Sequence, residues 1–221
     1  MVALLGALSC TACPEPDGDA GTDGGGGGCD PTIVGDLAEE LEMEIVLRTA
    51  SGGQVDAVPY GEVELFRPPQ GGKVFLVGAR VKNIDICGLR ITGSLRDPCD
   101  SRILAFESRP FRTYVTDAGY AEPINPNSLS NYANVPACPR AQAGRRVNDN
   151  VYEMTVLVEA LDGRSREMTI PVVPVCAQPG VLGDQCECEC KQGYVLGEDC
   201  AEQDAGTLPV DDAGVPALVC E

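Results

Sequence analysis

The 221-residue sequence predicts an all-β protein built around one β-sandwich. Between residues 41 and 175, apolar residues recur at alternate positions in several runs, which is the period of a strand with one buried face. Asp162-Gly163 stands between two such runs and is the strongest short-range signal for a β-hairpin. About seven short strands over roughly 135 residues fit a sandwich with Greek-key connections.

The strands differ in how clearly they are marked. Alternation is strongest over residues 75–81, 89–95, 152–158 and 168–172. Weaker strands are predicted over residues 41–49, 63–66 and 103–115, and Pro110 interrupts the last of these. Leu37, Leu41 and Ile45 would also line one side of a helix, but the all-strand context favours a strand there.

The segment 116–150 is predicted to be a long polar loop, rich in Pro, Asn and Gly. Two interpretations stay open for it. The first is an irregular crossover pinned by Cys138. The second is a dedicated binding loop that carries Tyr120 and Tyr132, because long loops on rigid sandwiches often hold binding residues.

The composition excludes several classes of mechanism. The chain has no histidine, so a Ser-His-Asp triad, a Cys-His pair and a histidine zinc site are impossible. We expect no cofactor, no metal and no catalytic activity. The alternative is a carboxylate-based hydrolase with a glycosidase-like pair, since Asp and Glu are the abundant acid/base groups that remain.

The net charge of −18 is concentrated at the two ends of the chain. Ten acidic residues precede Arg48 and seven follow Lys191. The part between them holds all 16 Lys and Arg against 17 Asp and Glu, a net charge of −1. Nucleic-acid binding needs a basic footprint, and the sequence shows only a small cluster at Arg140, Arg145 and Arg146, so we expect no nucleic-acid partner.

The N-terminus begins with an uncharged apolar run over residues 1–9, followed by Cys10 and Cys13. Residues 14–36 form a linker rich in Gly and Asp, which predicts disorder. An apolar leader, a cysteine and such a spacer resemble the start of a bacterial lipoprotein. The resemblance implies a diacylated cysteine, Cys13 or else Cys10, that anchors an exported protein to the outer membrane or cell surface.

Two other interpretations apply to this region. The first is a plain signal segment that is cleaved without lipidation. The second is a calcium site at Asp17, Asp19 and Asp23, but their spacing does not match an EF-hand loop, so a solvated linker is favoured.

One stretch of the body resembles immunoglobulin-like or fibronectin-like domains. Tyr152 stands where those domains place the tyrosine of the tyrosine corner, and Met154 occupies the position of the second core cysteine of antibody domains. The chain has no tryptophan, so the antibody hallmarks are absent. The resemblance implies a generic extracellular module, and such modules serve many functions.

The tail, residues 177–221, is predicted to be a small disulfide-rich module. Its cysteines at 188, 190 and 200, together with Gly193 and Tyr194, resemble the closing half of an EGF-like module. That resemblance implies a glycine-dependent tight turn, an aromatic ring over a disulfide, and bridges from Cys190 to Cys200 and from Cys188 to an upstream cysteine such as Cys176. The alternative for Cys186, Cys188 and Cys190 is a soft-metal thiolate site, which needs reduced cysteines.

An exported chain meets an oxidising compartment, so ten cysteines beyond Cys13 predict five disulfides. Cys87 and Cys99 are expected to pair with each other, and Cys138 with a distant partner. In an extended run, Cys186, Cys188 and Cys190 would alternate sides and pair with different cysteines.

The sequence therefore predicts a signal segment (1–13), a linker (14–36), a sandwich domain (37–176) and a cysteine-rich tail (177–221). The predicted function is a non-catalytic, lipid-anchored cell-envelope protein that displays the sandwich to a protein or glycan, for binding or adhesion. The alternative is a structural envelope component without a soluble ligand.

Overall fold

The computed structural model describes residues 29–125, 128–140, 143–200, 218 and 220. The predicted signal segment, most of the predicted linker and both candidate lipidation sites, Cys10 and Cys13, lie outside these residues. The described chain is all-β, as predicted, with thirteen strands, one 3-10 turn at Leu129–Asn131 and one helix, α1, at Val181–Glu189. In the described part, no helix is long and apolar enough to cross a membrane.

In chain order the strands are β1 (Ile33–Val34), β2 (Glu42–Arg48), β3 (Gln54–Asp56), β4 (Gly61–Glu64), β5 (Lys73–Lys82), β6 (Ile84–Asp85), β7 (Arg90–Arg96), β8 (Ile103–Pro110), β9 (Thr113–Val115), β10 (Ala121–Pro123), β11 (Ala133–Cys138), β12 (Tyr152–Glu159) and β13 (Ser165–Val175).

Two large sheets are formed. The first has the order β3-β2-β5-β10-β9, and β11 pairs with the opening half of β5. The second has the order β4-β13-β12-β7-β8. All these pairings are antiparallel except that of β13 with β4, which is parallel. A separate two-stranded ladder joins β1 to β6 at one end of the molecule.

The hydrophobic core lies between the two large sheets. Phe75, Val77, Ala79 and Val81 contribute from the first sheet, and the alternate residues of β12 from 152 to 158 contribute from the second. These residues are the apolar positions that the period-two pattern predicted to be buried. The weaker strand predicted at residues 41–49 is also confirmed, because β2 occupies Glu42–Arg48.

The segment 116–150 is not the uninterrupted loop that its composition predicted. It contains β10, and β11 follows with Ala133, Val135 and Ala137 buried in the core. The core-facing residues of β11 are mostly small, and Pro136 interrupts the alternation of apolar and polar residues, so the sequence does not mark this strand. The register shifts between Pro136 and Cys138, as expected where a proline meets a strand.

The predicted hairpin joins β12 to β13, but its turn is of another type than the Asp-Gly pair suggested. The Ala160 and Arg164 backbones pair, and the N–H of Gly163 donates to the carbonyl of Ala160. Gly163 has φ of 89°, whereas Asp162 is not among the residues with positive φ. The turn therefore has three residues, 161–163, with glycine in the left-handed position, rather than two residues in a type I′ turn.

The tail does not begin with an extended run. Residues 181–189 form α1, and Cys186 and Cys190 are buried in the hydrophobic core of the sandwich. Lys73 of β5 forms a buried ion pair with Glu189 of α1, with 3.1 Å between Nζ and Oε2. The described part of the tail thus packs as a cap on one end of the sandwich.

Candidate functional site

Five disulfides join the ten cysteines from Cys29 onward, which confirms the predicted number. They are Cys29–Cys87, Cys99–Cys220, Cys138–Cys190, Cys176–Cys186 and Cys188–Cys200. The predicted participation of Cys176, Cys188, Cys190 and Cys200 is confirmed, as is a distant partner for Cys138.

The specific predicted pairings are wrong. Cys200 is bonded to Cys188 and not to Cys190, while Cys176 is bonded to Cys186 and not to Cys188. The reason is the helix. Residues four apart lie on one face of an α-helix, so Cys186 and Cys190 both point to the core and reach partners on the sandwich. Cys188 projects from another face and pairs within the tail.

The predicted pair of Cys87 with Cys99 is also wrong. These cysteines flank β7, a seven-residue strand that spans about 20 Å, whereas disulfide Cα atoms lie about 4.4–6.8 Å apart. Cys87 instead bonds Cys29, and Cys99 bonds Cys220. The two ends of the described chain are thereby attached at opposite ends of β7.

The sulfurs of Cys176, Cys186 and Cys190 lie within 4.8 Å of one another, a separation that could suit a metal. Each of these sulfurs is part of a disulfide. A soft metal would need them as thiolates, so the oxidised structure assigns this cluster to cross-linking.

Tyr152, singled out from the sequence, is completely buried, and its hydroxyl donates to the carbonyl of Arg146 at 3.1 Å. A hydrogen bond to the backbone a few residues upstream is the contact that the resemblance to a tyrosine corner implies. Burial raises the pKa of the Tyr152 hydroxyl well above its usual range. The guanidinium of Arg145 lies 4.4 Å from the ring centroid and forms an ion pair with Asp97 at 3.0 Å. The arrangement is structural.

The other structural residues predicted from the sequence lie in turns. Asp162 accepts a hydrogen bond from the N–H of Arg164 at 2.9 Å, which stabilises the hairpin turn. Gly193 has φ of 71°, in agreement with a glycine-dependent turn. Tyr194 is partly buried, and its packing over a disulfide stays a prediction.

A side cleft of about 400 Å³ lies between the end of β8 and the 3-10 turn. This volume is within the usual range for small-ligand sites. The residues that line it are Glu107, Arg109, Pro110, Arg112, Ser130 and Asn131. We call this region the arginine cleft.

Arg109 is held rigidly in the arginine cleft. Its Nε donates to both carboxylate oxygens of Glu107, at 2.8 and 3.1 Å, and its Nη1 donates to the carbonyl of Leu129 at 3.1 Å. With the Asn134 amide oriented to satisfy its neighbours, Nη2 donates to Asn134 Oδ1 at 3.2 Å. Glu107 also accepts from the backbone N–H of Asn134 at 2.9 Å, so most of its hydrogen-bonding capacity is used.

Arg112 differs from Arg109 because its side chain is exposed and has no hydrogen bond or ion pair within the part of the chain that the structure describes. Next to it, Asn131 is only 4% exposed and donates to the carbonyl of Asn125. The cleft therefore combines a fixed guanidinium, an exposed guanidinium that has no partner among the described residues, and a buried amide.

A second cavity of about 360 Å³ lies at the hairpin end of the molecule. It is lined by Leu37, Glu39, Glu40, Leu41, Arg164, Ser165 and Arg166. Both terminal nitrogens of Arg164 already donate hydrogen bonds there, to the carbonyls of Asn83 and Leu37. With two carboxylates and Arg166 on its surface, this cavity offers acceptors as well as donors.

Of the residues that line the arginine cleft, the sequence pattern marks only Pro110, as an interruption of a strand. Ser130 and Asn131 lie in the segment 116–150, for which a binding loop is one interpretation, and the two arginines lie on either side of Pro110 and Phe111. A pair of arginines flanking a strand-ending proline was the available signal.

Comparison with protein-family models, curated proteins and solved structures found no match.

Proposed function

We propose that this chain is a non-catalytic, lipid-anchored protein of a bacterial cell envelope, exported to the outer membrane or cell surface, that displays a β-sandwich for binding a protein or glycan. The five disulfides carry this proposal, because such a dense set of cross-links persists in oxidising compartments. The apolar leader with Cys10 and Cys13 supports export and lipidation.

The position of the first disulfide supports display at a distance from the membrane. Cys29, which lies within the predicted linker of residues 14–36, is bonded to Cys87, so the chain is attached to the sandwich after the first 15 linker residues. The 15 residues from 14 to 28 would give a flexible chain a root-mean-square reach of about 20 Å and a maximum of about 50 Å. Either value leaves the sandwich sides accessible to a partner.

The cysteine-rich cap lies at the other end of the sandwich. Cys87 follows the end of β5 closely, whereas Cys138 and Cys190 join beside Lys73, the first residue of β5. A strand of ten residues spans about 30 Å. With a lipid at the N-terminus, the cap would face away from the membrane, and Pro110 of the arginine cleft, which pairs with Arg90 of β7, would lie nearer the anchored end.

The finer fold that we propose is an immunoglobulin-like or fibronectin-like sandwich. The hydrogen bond from Tyr152 to Arg146 supports it, as does the packing of two mainly antiparallel sheets around one core. Fold likeness does not identify a ligand, so the binding proposal depends on the site.

Anchoring is tested by replacing Cys10 and Cys13 together with serine. We expect the protein to move from the membrane fraction to the soluble fraction, and intact-mass measurement to show loss of a diacylglyceryl group. The matched control is Cys29→Ser with Cys87→Ser, which removes two other cysteines and should leave the protein on the membrane. Membrane retention of the first variant would refute lipid anchoring.

A structural envelope component without a soluble ligand is the alternative. Arrays of glycans and of envelope proteins separate the two, because the proposal requires at least one saturable ligand. A carboxylate-based hydrolase has less support from the arginine cleft, where Glu107 already accepts hydrogen bonds from Arg109 and from the Asn134 backbone.

A further inference from the structure

We infer that the arginine cleft binds a ligand through a single carboxylate group. This inference rests on the proposed binding function and specifies its ligand chemistry. The six residues that line the cleft offer a different set of hydrogen-bonding groups from the residues of the second cavity.

Donors dominate the arginine cleft. Arg112 brings five N–H groups, and its exposed guanidinium has none of them committed within the described residues. Arg109 uses Nε and one N–H on each terminal nitrogen, so one N–H remains on each. Asn131 donates one amide hydrogen to the carbonyl of Asn125, which leaves its second amide hydrogen for a ligand.

The charged acceptor of the cleft is largely used. Glu107 is the only acidic residue among those lining the cleft, and its two oxygens already accept from Arg109 and from the Asn134 backbone. The other side-chain acceptors, the Asn131 amide oxygen and the Ser130 hydroxyl, are neutral, whereas an anionic ligand would find two guanidinium groups. Hydrogen bonds from guanidinium to an anionic acceptor are about twice as strong as neutral ones.

The charge of the cleft selects among anions. Two arginines and one glutamate give the lining residues a net charge of +1, because Glu107 neutralises Arg109 and Arg112 has no carboxylate partner among the residues that the structure describes. A carboxylate carries one negative charge and matches this value. A phosphate monoester carries about −1.5 to −2 at neutral pH and would leave negative charge unpaired. The planar fork of Arg112 is suited to two parallel hydrogen bonds with a carboxylate.

The cleft volume limits the part of the ligand that is held. About 400 Å³ accommodates one or two sugar or amino-acid residues, and the rest of a longer ligand would lie outside the open cleft. Carboxylates of that size come from acidic sugars and from free peptide C-termini. Both share the same recognition chemistry, so the experiment uses one probe of each kind.

Binding is measured by titration calorimetry on the full-length protein, purified from whichever fraction holds it. The probes are the methyl glycoside of galacturonate with its methyl ester, and N-acetyl-dialanine with its C-terminal amide; each acid carries one carboxylate. We expect one acid to bind in a salt-sensitive manner and its neutral counterpart to bind at least tenfold more weakly. Arg112→Gln should weaken binding of the acid by at least tenfold, and Arg112→Lys should weaken that binding less.

The matched control is Arg166→Gln in the second cavity. Arg166 is likewise exposed and lies in a cavity of similar volume, so its replacement makes the same charge change away from the cleft. The control should bind the acid as the unmodified protein does. Both arginines are exposed, and unchanged thermal unfolding of both variants will verify that they fold.

Four results would overturn the inference: no binding of either acid, equal binding of acid and neutral probe, equal loss in the Arg112 and Arg166 variants, or binding of inorganic phosphate in place of both acids. Membrane anchoring is read by fractionation and not by calorimetry. A failure of the cleft and a failure of the proposed anchor are therefore distinguishable.

Discussion

Asp97 and Arg145 form a buried ion pair beside Tyr152, with exposed fractions of 2% and 8%. Asp97 also accepts a hydrogen bond from the backbone of Cys99, next to the bridge to Cys220. Asp97→Asn keeps the shape and that acceptor but removes the buried carboxylate charge that pairs with the guanidinium. We expect a loss of about 3–5 kcal/mol in the free energy of unfolding, measured by urea denaturation.

Asp100→Asn is the matched control for this residue. Asp100 lies three positions away in the same turn, and its ion pair with Arg102 is at the surface, where water screens it. Its replacement should leave the unfolding midpoint nearly unchanged. Equal effects of the two substitutions would show that burial of the Asp97 pair is irrelevant to stability.

At the level of elements, the hairpin between β12 and β13 depends on Gly163. Its φ is 89°, and a Cβ added there would meet no atom within 4 Å, so any cost of substitution comes from backbone conformation and not from a clash. Gly163→Val should lower the free energy of unfolding by about 1–3 kcal/mol. Thermal unfolding of the purified variant measures the effect.

Asparagine tolerates the left-handed region better than valine does. Gly163→Asn should therefore retain most of the stability that Gly163→Val loses. If both variants unfold like the unmodified protein, the turn does not depend on glycine.

The strands were predictable because their period is local. Phe75 and Val77 indicate a buried strand face within three residues, and β12 and β13 show the same period on either side of Asp162-Gly163. Helix α1 was missed because its apolar stripe is made of Cys186 and Cys190, and alternating Cys and Glu in the sequence imitates a strand. Their disulfide partners, Cys176 and Cys138, are supplied by the folded sandwich.

The arginine cleft could not be predicted because it is assembled from two separate stretches of chain. Arg109 and Arg112 flank a strand end, and Asn131 comes to them only when β11 returns along β5. Pro110 marks a strand end in the sequence, but the sequence does not show which residues from other parts of the chain lie beside it in the fold.

For the molecule as a whole, two buried tyrosines set the alkaline limit of stability. Burial raises the pKa of Tyr132 from 10.0 to about 12, and it raises the pKa of Tyr152 as well. Between these pH values the unfolded chain has released protons that the folded chain still holds. The free energy of unfolding therefore falls as pH rises from about 10 to 12, and this contribution is fully present below pH 10.

Urea denaturation between pH 9 and pH 12 measures this decline. Tyr132→Phe removes one of the two hydroxyls and should make the decline shallower. The Tyr132 hydroxyl also donates to Gln54 at 2.8 Å, so the variant is compared with itself across pH rather than with the unmodified protein at one pH. A stability that stays constant through pH 12 would contradict the prediction.

The bridge from Cys29 to Cys87 also determines how the molecule responds to mechanical load. It closes a covalent loop with a sequence separation of 58, and that loop contains β1 through β6. A pull on residues before Cys29 passes through the sulfur atoms to Cys87 and on to β7, so it bypasses the strands inside the loop. Tension on the N-terminus would therefore strain the second sheet first, while β2 and β5 remain shielded from direct extension as long as the bridge is intact.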